Sequence, residues 1–328
     1  MNIYDIAAKC GVSIATVSRV LNNNPNVSNR TREKVLAVMQ EENYTPSSMA
    51  RGLGTGYTRM VGLVCAAPHS PLSAEAIGYI EGALHAEGMT TLLRTIGTQA
   101  EDVKQELDEL AQQGVDAILL VGSVPGTEEN TACLEAAACR APLVLVGSYL
   151  PLTGAYSVTC DEKKAVTELI AALFGRQRRN VLLLHSGDTY ADREKIAGYR
   201  EGYTAAGYTA DDQRIIPVEP SLDAVNACIK QLLVKGVSFD AVIGTEDILA
   251  LGAQKALQRI GLTMPVIGCG NSLLARCSTP ELTSIDTHPE ALCRTAVEVL
   301  CHRLRGEEVA AHTVLSADLM ERDTFRRN

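Results

Sequence analysis

The sequence has very few large aromatic residues. Its 328 residues include no tryptophan and only three phenylalanines, and aromatic residues make up 4% of the chain. Stacking surface for a ring-shaped ligand is therefore scarce.

Several other signals are missing as well. The ten cysteines include no Cys-x-x-Cys pair, so we expect buried, reduced thiols and no metal site. No charged-then-apolar leader begins the sequence and no apolar run approaches the length of a membrane span, so we expect a cytoplasmic protein without a membrane partner. A nucleophile elbow, a His-Glu-x-x-His motif and a phosphate loop are all lacking, so we expect neither catalysis nor a cofactor.

Charge is distributed unevenly along the chain. Residues 1–60 hold seven Lys or Arg against four Asp or Glu, a net charge of +3, while the remaining residues hold 23 against 35, a net charge of −12. A chain of 328 residues is also longer than a single hydrophobic core usually supports, so more than one domain is expected. We therefore expect a small basic head that meets nucleic acid and an acidic body of two lobes.

Residues 11–22 predict a glycine turn followed by a short helix with two different faces. Ser13 is expected to cap this helix through its hydroxyl group. Val17, Val20 and Leu21 are spaced three and four apart, so they share one apolar stripe. The opposite face carries Ile14, Ala15, Ser18, Arg19 and Asn22.

Two further helices are predicted around this one. The preceding helix carries Ile3, Ile6, Ala7 and Cys10 on its apolar face, and a third helix follows Ser28 with Val35, Val38 and Met39. Arg30, Arg32 and Lys34 lie near the start of the third helix, where they are available to phosphates. This order is the plan of a helix-turn-helix head. The alternative is an ordinary three-helix bundle with a solvated outer face.

An ordered set of motifs runs through the head. It comprises Tyr4-Asp-Ile-Ala, Gly11-Val-Ser, Thr16-Val-Ser-Arg-Val-Leu-Asn22, Val27-Ser, Thr31-Arg-Glu-Lys-Val35 and Tyr44-x-Pro46. This set resembles the lactose-repressor/galactose-repressor (LacI/GalR) family of bacterial transcription factors. The resemblance implies that Ala50-Arg51-Gly52-Leu53 forms a hinge helix whose Leu53 wedges into the minor groove of DNA. The implied DNA-binding residues are Ser13, Ile14, Ala15, Thr16, Ser18, Arg19, Asn22, Thr31, Arg51 and Leu53.

Arg19 is the strongest candidate for reading bases. The resemblance places Ile14, Ala15 and Arg19 at base edges in the major groove, where arginine can make a bidentate contact with guanine. The two apolar side chains offer only contacts such as one to a thymine methyl group. The alternative for Arg19 is a contact with a phosphate.

From residue 61 onward, short apolar runs alternate with amphipathic helical segments. The runs are Val61–Cys65, Thr91–Arg94, Ala117–Val121, Leu143–Val146, Val181–Leu184, Ile215–Ile216, Ala241–Ile243 and Val266–Ile267. Such runs are typical of buried parallel strands, so the predicted fold class is α/β with two doubly wound lobes. Tyr79-x-Glu81-Gly82 recurs as Tyr199-x-Glu201-Gly202, which indicates either two lobes of one architecture or a coincidence.

The resemblance extends along the body and implies a periplasmic-binding-protein-like sensor. We expect a helix-turn-helix head at 1–45, a hinge helix and linker at 46–57, a first effector-binding lobe at 58–160 with 288–315, and a second at 161–287 with 316–328. The chain should cross between lobes near Cys160, Asp286 and Ser316. The helix Pro289–Leu304 should return to the first lobe, and a strand Val314–Leu319 should lead into the second.

Open α/β sheets bind ligands at the carboxyl ends of their strands, so the loops after the apolar runs hold the candidate effector-binding residues. These are His69, Ser70, Ser123, Tyr149, Asp161, Tyr190, Arg193, Lys195, Glu246 and Asn271. The cleft departs from the family pattern. Lys195 stands where sugar- and purine-binding relatives usually carry arginine, Gly147 replaces an expected aspartate, and Leu72 and Ser73 replace aromatic residues.

Several of these residues have structural alternatives. Glu246 and Asp247 open a predicted helix, where acidic residues stabilise the first turn without any ligand. Arg193 and Lys195 could be solvated helix charges, and His69 could serve only to stiffen its loop. The ligand class stays open between a sugar, a sugar acid, a nucleoside and no diffusible ligand.

The combined interpretation is a sequence-specific DNA-binding transcriptional regulator, expected to act as a repressor. It would bind a pseudo-palindromic operator as a homodimer, and a small-molecule effector between the lobes, a sugar or sugar derivative, would set its affinity. The alternative is a cytoplasmic solute-binding sensor that acts through a protein partner. An enzyme on the same scaffold has no motif in its favour.

Overall fold

The computed structural model describes residues 2–21, 24–42, 44, 58–66, 71–97, 100–124 and 127–327. Within these ranges the chain forms a small helical head followed by two six-stranded sheets with flanking helices. The predicted α/β fold class with a helical head is confirmed. No helix in these ranges is long and apolar enough to cross a membrane.

The head consists of three short helices around an apolar core. They are α1 (Ile3–Cys10), α2 (Ile14–Leu21) and α3 (Asn29–Glu41). The side chain of Asn2 accepts hydrogen bonds from the backbone N–H groups of Tyr4 and Asp5, which caps α1. Gly11 ends the helix with a φ of +59°, a conformation that favours glycine. The core contains Ile3, Ile6, Ala7, Cys10, Val17, Val20, Val27, Val35 and Met39.

The body alternates strands and helices. In chain order they are β1 (Met60–Cys65), α4 (Pro71–Ala86), β2 (Thr90–Thr95), α5 (Ala100–Gln112), β3 (Ala117–Val121), α6 (Glu128–Arg140), β4 (Leu143–Val146), β5 (Ala155–Cys160), α7 (Glu162–Gly175), β6 (Val181–His185), α8 (Tyr190–Ala205), a short 3₁₀ turn (Asp212–Arg214), β7 (Ile215–Pro217), α9 (Leu222–Val234), β8 (Ala241–Gly244), α10 (Asp247–Arg259), β9 (Val266–Cys269), α11 (Leu273–Cys277), β10 (Thr283–Asp286), α12 (Pro289–Leu304), β11 (His312–Leu315) and β12 (Asp318–Met320).

The two sheets have the same strand order. The first runs β2-β1-β3-β4-β5-β11 with all strands parallel, and the second runs β7-β6-β8-β9-β10-β12 with only β12 antiparallel. Every residue of β3, β4 and β8 is buried because helices cover both faces of each sheet. In each sheet the strand order reverses beside the first strand, which opens a crevice at the carboxyl ends.

The chain passes between the two sheets three times. It leaves the first sheet after β5, returns between β10 and α12, and leaves again between β11 and β12. Helix α12 packs against α4 and against β4 and β5 of the first sheet. The single strand predicted at Val314–Leu319 is wrong, because β11 pairs with β5 and β12 pairs with β10 in the other sheet.

The two copies of the Tyr-x-Glu-Gly motif occupy corresponding helices. Tyr79 lies in α4, which follows the first strand of the first sheet, and Tyr199 lies in α8, which follows the first strand of the second. The shared strand order and the shared place of the motif support two lobes of one architecture.

Candidate functional site

Helix α2 presents one face to the core of the head and the other to solvent. Val17 and Val20 are buried, whereas Ile14, Ala15 and Arg19 are exposed. The Ile14 side chain is 41% exposed, which is high for a large apolar residue on a helix that packs on a hydrophobic core. The predicted helix with two different faces is therefore formed, and its mixed apolar and charged face points to solvent.

The start of α2 is held by hydroxyl groups. The Oγ atom of Ser13 accepts a hydrogen bond of 3.2 Å from the backbone N–H of Thr16, as predicted for a helix cap. The two hydroxyl oxygens lie 2.9 Å apart. Gly11 and this cap fix the angle at which α2 follows α1, and so determine which face points outward.

Arg19 lies exposed near the end of α2, and its guanidinium group has no hydrogen bond or ion pair within the ranges the structure describes. Arg32 in α3 differs, because its Nη2 atom donates a hydrogen bond of 2.7 Å to the backbone oxygen of Asn24. Arg32 therefore holds the segment between α2 and α3, while Arg19 is available to bind a partner.

The start of α3 is capped in the same way as α2. The Oγ atom of Ser28 accepts from the backbone N–H of Thr31 at 3.2 Å, and their hydroxyl oxygens lie 2.8 Å apart. The Thr31 side chain thus has a structural role here, beside the predicted contact with DNA. Of the other predicted DNA-binding residues, Ser18 is half-buried in α2, while Asn22, Arg51 and Leu53 lie outside the described residues.

A cavity of about 250 Å³ lies between the two sheets, at the carboxyl ends of their strands. The first lobe contributes mainly small and apolar residues: Leu72, Ser73, Ala76, Val121, Gly122, Ser123, Val146, Gly147, Cys160, Pro289, Leu292 and Cys293. The second lobe contributes most of the polar groups: Glu162, Ser186, Thr189, Asp192, Lys195, Thr245 and Glu246. The cleft therefore has one apolar wall and one charged wall.

Lys195 lies in the charged wall and is paired with Glu162. Its Nζ atom lies 2.7 Å from Glu162 Oε1, and the two side chains are 7% and 10% exposed. Burial disfavours the ammonium ion, but the carboxylates of Glu162 and Asp192 outweigh it and raise the Lys195 pKa above its ordinary value. Lys195 therefore lines the cleft, as predicted, as one half of a buried ion pair and not as a solvated helix charge.

Asp192 is a polar cleft residue that sequence reasoning missed. It is 3% exposed, and its two oxygens accept hydrogen bonds of 2.6 Å from the Thr245 hydroxyl and 2.8 Å from the Thr189 hydroxyl. Thr189 also caps α8 by accepting from the backbone N–H of Asp192. The Thr-x-x-Asp spacing is a helix-start signature that could have located this residue. Glu162 had no comparable local signal, because its partner is 33 positions away.

The two acidic residues at the start of α10 have different surroundings. Asp247 is 3% exposed and accepts three hydrogen bonds, from the Ser272 N–H and hydroxyl and from the Ser284 hydroxyl. Burial raises the pKa of its carboxyl group, and these hydrogen bonds oppose the rise. The Glu246 side chain is half-buried, lines the cleft and makes no capping hydrogen bond. Asp247 therefore supports the fold, and Glu246 faces the cavity.

Several other predicted effector residues lie away from the cavity lining. Tyr149 stacks on His312 with ring centroids 4.2 Å apart, and Tyr190 meets Tyr149 edge-on at 6.2 Å. Because Tyr190 belongs to α8 and the other two belong to the first lobe, this aromatic cluster joins the lobes. Asp161 caps α7 by accepting from the backbone N–H of Lys164 at 3.1 Å.

The remaining candidates are divided between the surface and the crossing segments. Arg193 pairs with exposed Asp188 at 3.3 Å. Asn271 donates to Asp286 at 2.8 Å and accepts from Arg322, so its amide group is occupied by the crossing segments. Of the predicted set, Ser123, Lys195 and Glu246 line the cavity, while His69 and Ser70 lie outside the described residues.

The cleft cysteines are unreactive in this setting. All ten cysteines are free, and eight of them are buried or half-buried, whereas Cys139 and Cys277 are exposed. Burial raises the pKa of Cys160 and of Cys293 to about 12. These thiols remain protonated at neutral pH and add apolar surface to the cleft.

The chain matches known families in both its parts. Residues 2–47 match the model of the bacterial regulatory proteins of the lacI family, and residues 170–325 match that of the periplasmic binding protein-like domain. An HTH-type transcriptional regulator of Lachnoclostridium phytofermentans is 36% identical over 99% of this chain and 99% of its own length. Catabolite control protein A of Priestia megaterium is 28% identical over 100% of this chain and 99% of its own.

Solved structures agree with these matches. The transcriptional regulator CelR in complex with cellobiose has a TM-score of 0.73 and 26% identity, covering 99% of this chain and 100% of that one. The lac repressor dimer bound to operator and the anti-inducer ONPF has a TM-score of 0.86 at 23% identity, covering 99% and 98%, and shows the shared fold. The predicted family is confirmed: this chain belongs to the lacI family of bacterial regulatory proteins.

Proposed function

We propose that this chain is a dimeric transcriptional repressor whose affinity for a DNA operator is set by a small molecule in the inter-lobe cleft. The observation that carries the proposal is the outward face of α2, where Ile14, Ala15 and Arg19 lie together on a capped helix and the Arg19 guanidinium group has no partner among the described residues. Arginine matches the acceptor pair of guanine, and the two apolar side chains suit thymine methyl groups.

Dimerisation follows from the size of the head. One head of about 45 residues makes too few contacts for tight and specific binding, so two heads on a two-fold site are required. In this proposal 1–45 is the DNA-binding head and 46–57 the hinge, and the two lobes have the boundaries expected from the sequence. The protein acts in the cytoplasm, where the DNA is, and its cleft binds without catalysing a reaction.

The cleft is the natural effector site because it lies where both sheets open at their carboxyl ends. A ligand there touches both lobes, so it has different contacts in any two arrangements of them and shifts their equilibrium. CelR, which has the same fold, was solved with cellobiose, and a sugar or sugar derivative is the class we propose for the effector here.

The test is a gel-shift selection with the full-length protein and fragments of its own genome. We expect retardation of a small set of fragments that share a pseudo-palindrome, and a change in their affinity when metabolite pools are added. Two variants locate the interface. Arg19→Ala removes the cation of the α2 face and should weaken binding to the selected fragments most, whereas Lys34→Ala removes an exposed cation of α3 that is available to phosphates and should weaken binding to all fragments alike. If no fragment is retarded with or without metabolites, the proposal fails and the alternative sensor that acts through a protein partner gains support.

A further inference from the structure

The ionisable groups of the cleft carry an excess of negative charge. Within the described lining the charged groups are Glu162, Asp192, Lys195 and Glu246, which are three carboxylates and one ammonium, while the cysteine thiols there are neutral. A ligand that enters this space gives up much of its water, so its charge must be opposite in sign to that of the walls.

Lys195, the one cation among the described residues of the lining, is already neutralised. Lys195 lies 2.7 Å from Glu162, and both side chains are about nine-tenths buried. Asp192 stands on the same helix as Lys195, one turn away, and adds a second negative charge. An anionic ligand that approached Lys195 would meet these two carboxylates as well, so an acid or a phosphate is disfavoured at this wall.

The two buried carboxylates are also occupied. Glu162 holds Lys195, and both oxygens of Asp192 accept hydrogen bonds from threonine hydroxyls. Glu246 differs, because within the described residues its carboxylate forms no hydrogen bond or ion pair while it faces the cavity. Glu246 is thus the group with charge left to offer a ligand.

The opposite wall gives the ligand a second requirement. Leu72, Val146 and Leu292 form an apolar surface there, and no aromatic side chain is present in the described lining. A bound cation would therefore be held by an ion pair and not by an aromatic cage. The cavity of about 250 Å³ has room for a molecule of the size of a monosaccharide.

We propose that the cleft selects a compact organic cation, of the amino sugar or small primary amine class, whose ammonium group binds the Glu246 carboxylate while its carbon skeleton packs on the apolar wall. This inference rests on the proposed function in taking the cleft as the effector site, and it names the charge of the effector.

The test compares matched ligands that differ in charge. D-glucosamine, D-glucose and D-gluconate form one series, and butylamine, butanol and butyrate form a second. Binding of each to the full-length protein is measured by calorimetry and by thermal shift. We expect the amine to bind most tightly within a series, and Glu246→Gln to weaken it by about tenfold or more, since a factor of ten corresponds to the loss of a single modest ion pair.

The variant and its control are chosen so that folding does not decide the outcome. Glu246 makes no capping hydrogen bond, so Gln at this position leaves the start of α10 intact. Asp223→Asn removes an exposed carboxylate from the first turn of α9 in the same lobe and should leave binding unchanged.

Three results would overturn the inference: a neutral or acidic member that binds as tightly as the amine, an amine affinity that Glu246→Gln leaves unchanged, or no binding in either series. Gel shifts on the same samples separate this outcome from failure of the proposed function. If the protein still retards the operator and responds to D-glucose, the proposed function stands and the inference of a cationic effector fails. If the protein binds the amine but retards no DNA, the inference about the cleft stands and the proposed function fails.

Discussion

Breaking the buried ion pair between α7 and α8 is the most informative perturbation of the cleft. The substitution Lys195→Met keeps most of the side-chain volume but leaves the Glu162 carboxylate buried without its partner and near Asp192. Removing one member of a buried pair costs about 3–5 kcal/mol, because the remaining charge is uncompensated. For a domain of lobe size, this corresponds to a fall in melting temperature of roughly 6–20 °C.

The chain offers a matched control on the same two helices. Lys163 is next to Glu162 in sequence and pairs with Glu201 of α8 at 2.6 Å, but both side chains are about half exposed. Because solvent screens this pair, we expect Lys163→Met to leave the melting temperature close to that of the wild type. The assay is thermal unfolding followed by circular dichroism, with urea unfolding of the same samples.

A double variant and a pH series separate the contributions of the two charges. Lys195→Met with Glu162→Gln removes both charges, so it should recover most of the lost stability. The folded-state pKa of Lys195 is raised, so its contribution is complete below the unfolded value of about 10.4 and is lost only as pH rises through the folded value. The difference in stability between the wild type and this double variant, which carries neither charge, should therefore be equal at pH 7 and pH 9. Equal melting temperatures for the two single lysine variants would refute the account of a buried pair.

Two further predictions concern the second lobe. Asp247→Ala should lower the free energy of unfolding by about 2–4 kcal/mol, because it leaves three buried hydrogen-bond donors without an acceptor. Asp247→Asn should cost clearly less at pH 7, since burial disfavours the charged carboxyl group. Urea unfolding measures both losses, and equal losses would contradict this reasoning. Gly198→Ala should destabilise the lobe by about 1–3 kcal/mol, because a Cβ atom there would lie 2.2 Å from the backbone oxygen of Lys163. Gly175→Ala should be tolerated, because a Cβ atom there meets no described atom within 4 Å. Melting temperatures of the two variants test this, and an unchanged value for Gly198→Ala would show that α7 and α8 can move apart without cost.

The sequence predicted best where a pattern is local. The apolar stripe of α2 and the cap by Ser13 depend on residues within two turns of one another, and both are formed. The strands β3 and β4 have the predicted bounds, because continuous apolar runs mark strands covered on both faces.

Two central strands were missed for a definable reason. β5 contains Ser157 and Thr159, and β10 contains Thr283 and Ser284, so neither is a continuous apolar run although these residues are buried. Three of these hydroxyl groups have partners that are distant in sequence: Thr159 meets His312, Thr283 donates to the backbone oxygen of Phe325, and Ser284 donates to Asp247. Hydrophobic patterns do not detect such positions.

The candidate site was predicted less completely than the fold. Glu246 was found because it follows a strand, and Lys195 because it stands where relatives usually carry arginine in the segment after β6. The pairing of Lys195 with Glu162, which joins two helices across 33 positions, had no such signal. Asn271 satisfied the same rule of position, but its amide group is held by Asp286 and Arg322. Position along the chain locates the loops of a cleft, and only packing decides which side chains enter it.

The measurement that tests the account most directly is the affinity of the Arg19→Ala variant for a selected operator fragment and for random DNA of equal length, at one salt concentration. If Arg19 reads a base, affinity for the operator should fall by about 1–3 kcal/mol, roughly five- to 150-fold, while binding to random DNA changes little. An equal loss on both DNAs would contradict base reading by α2 and would make Arg19 a phosphate contact.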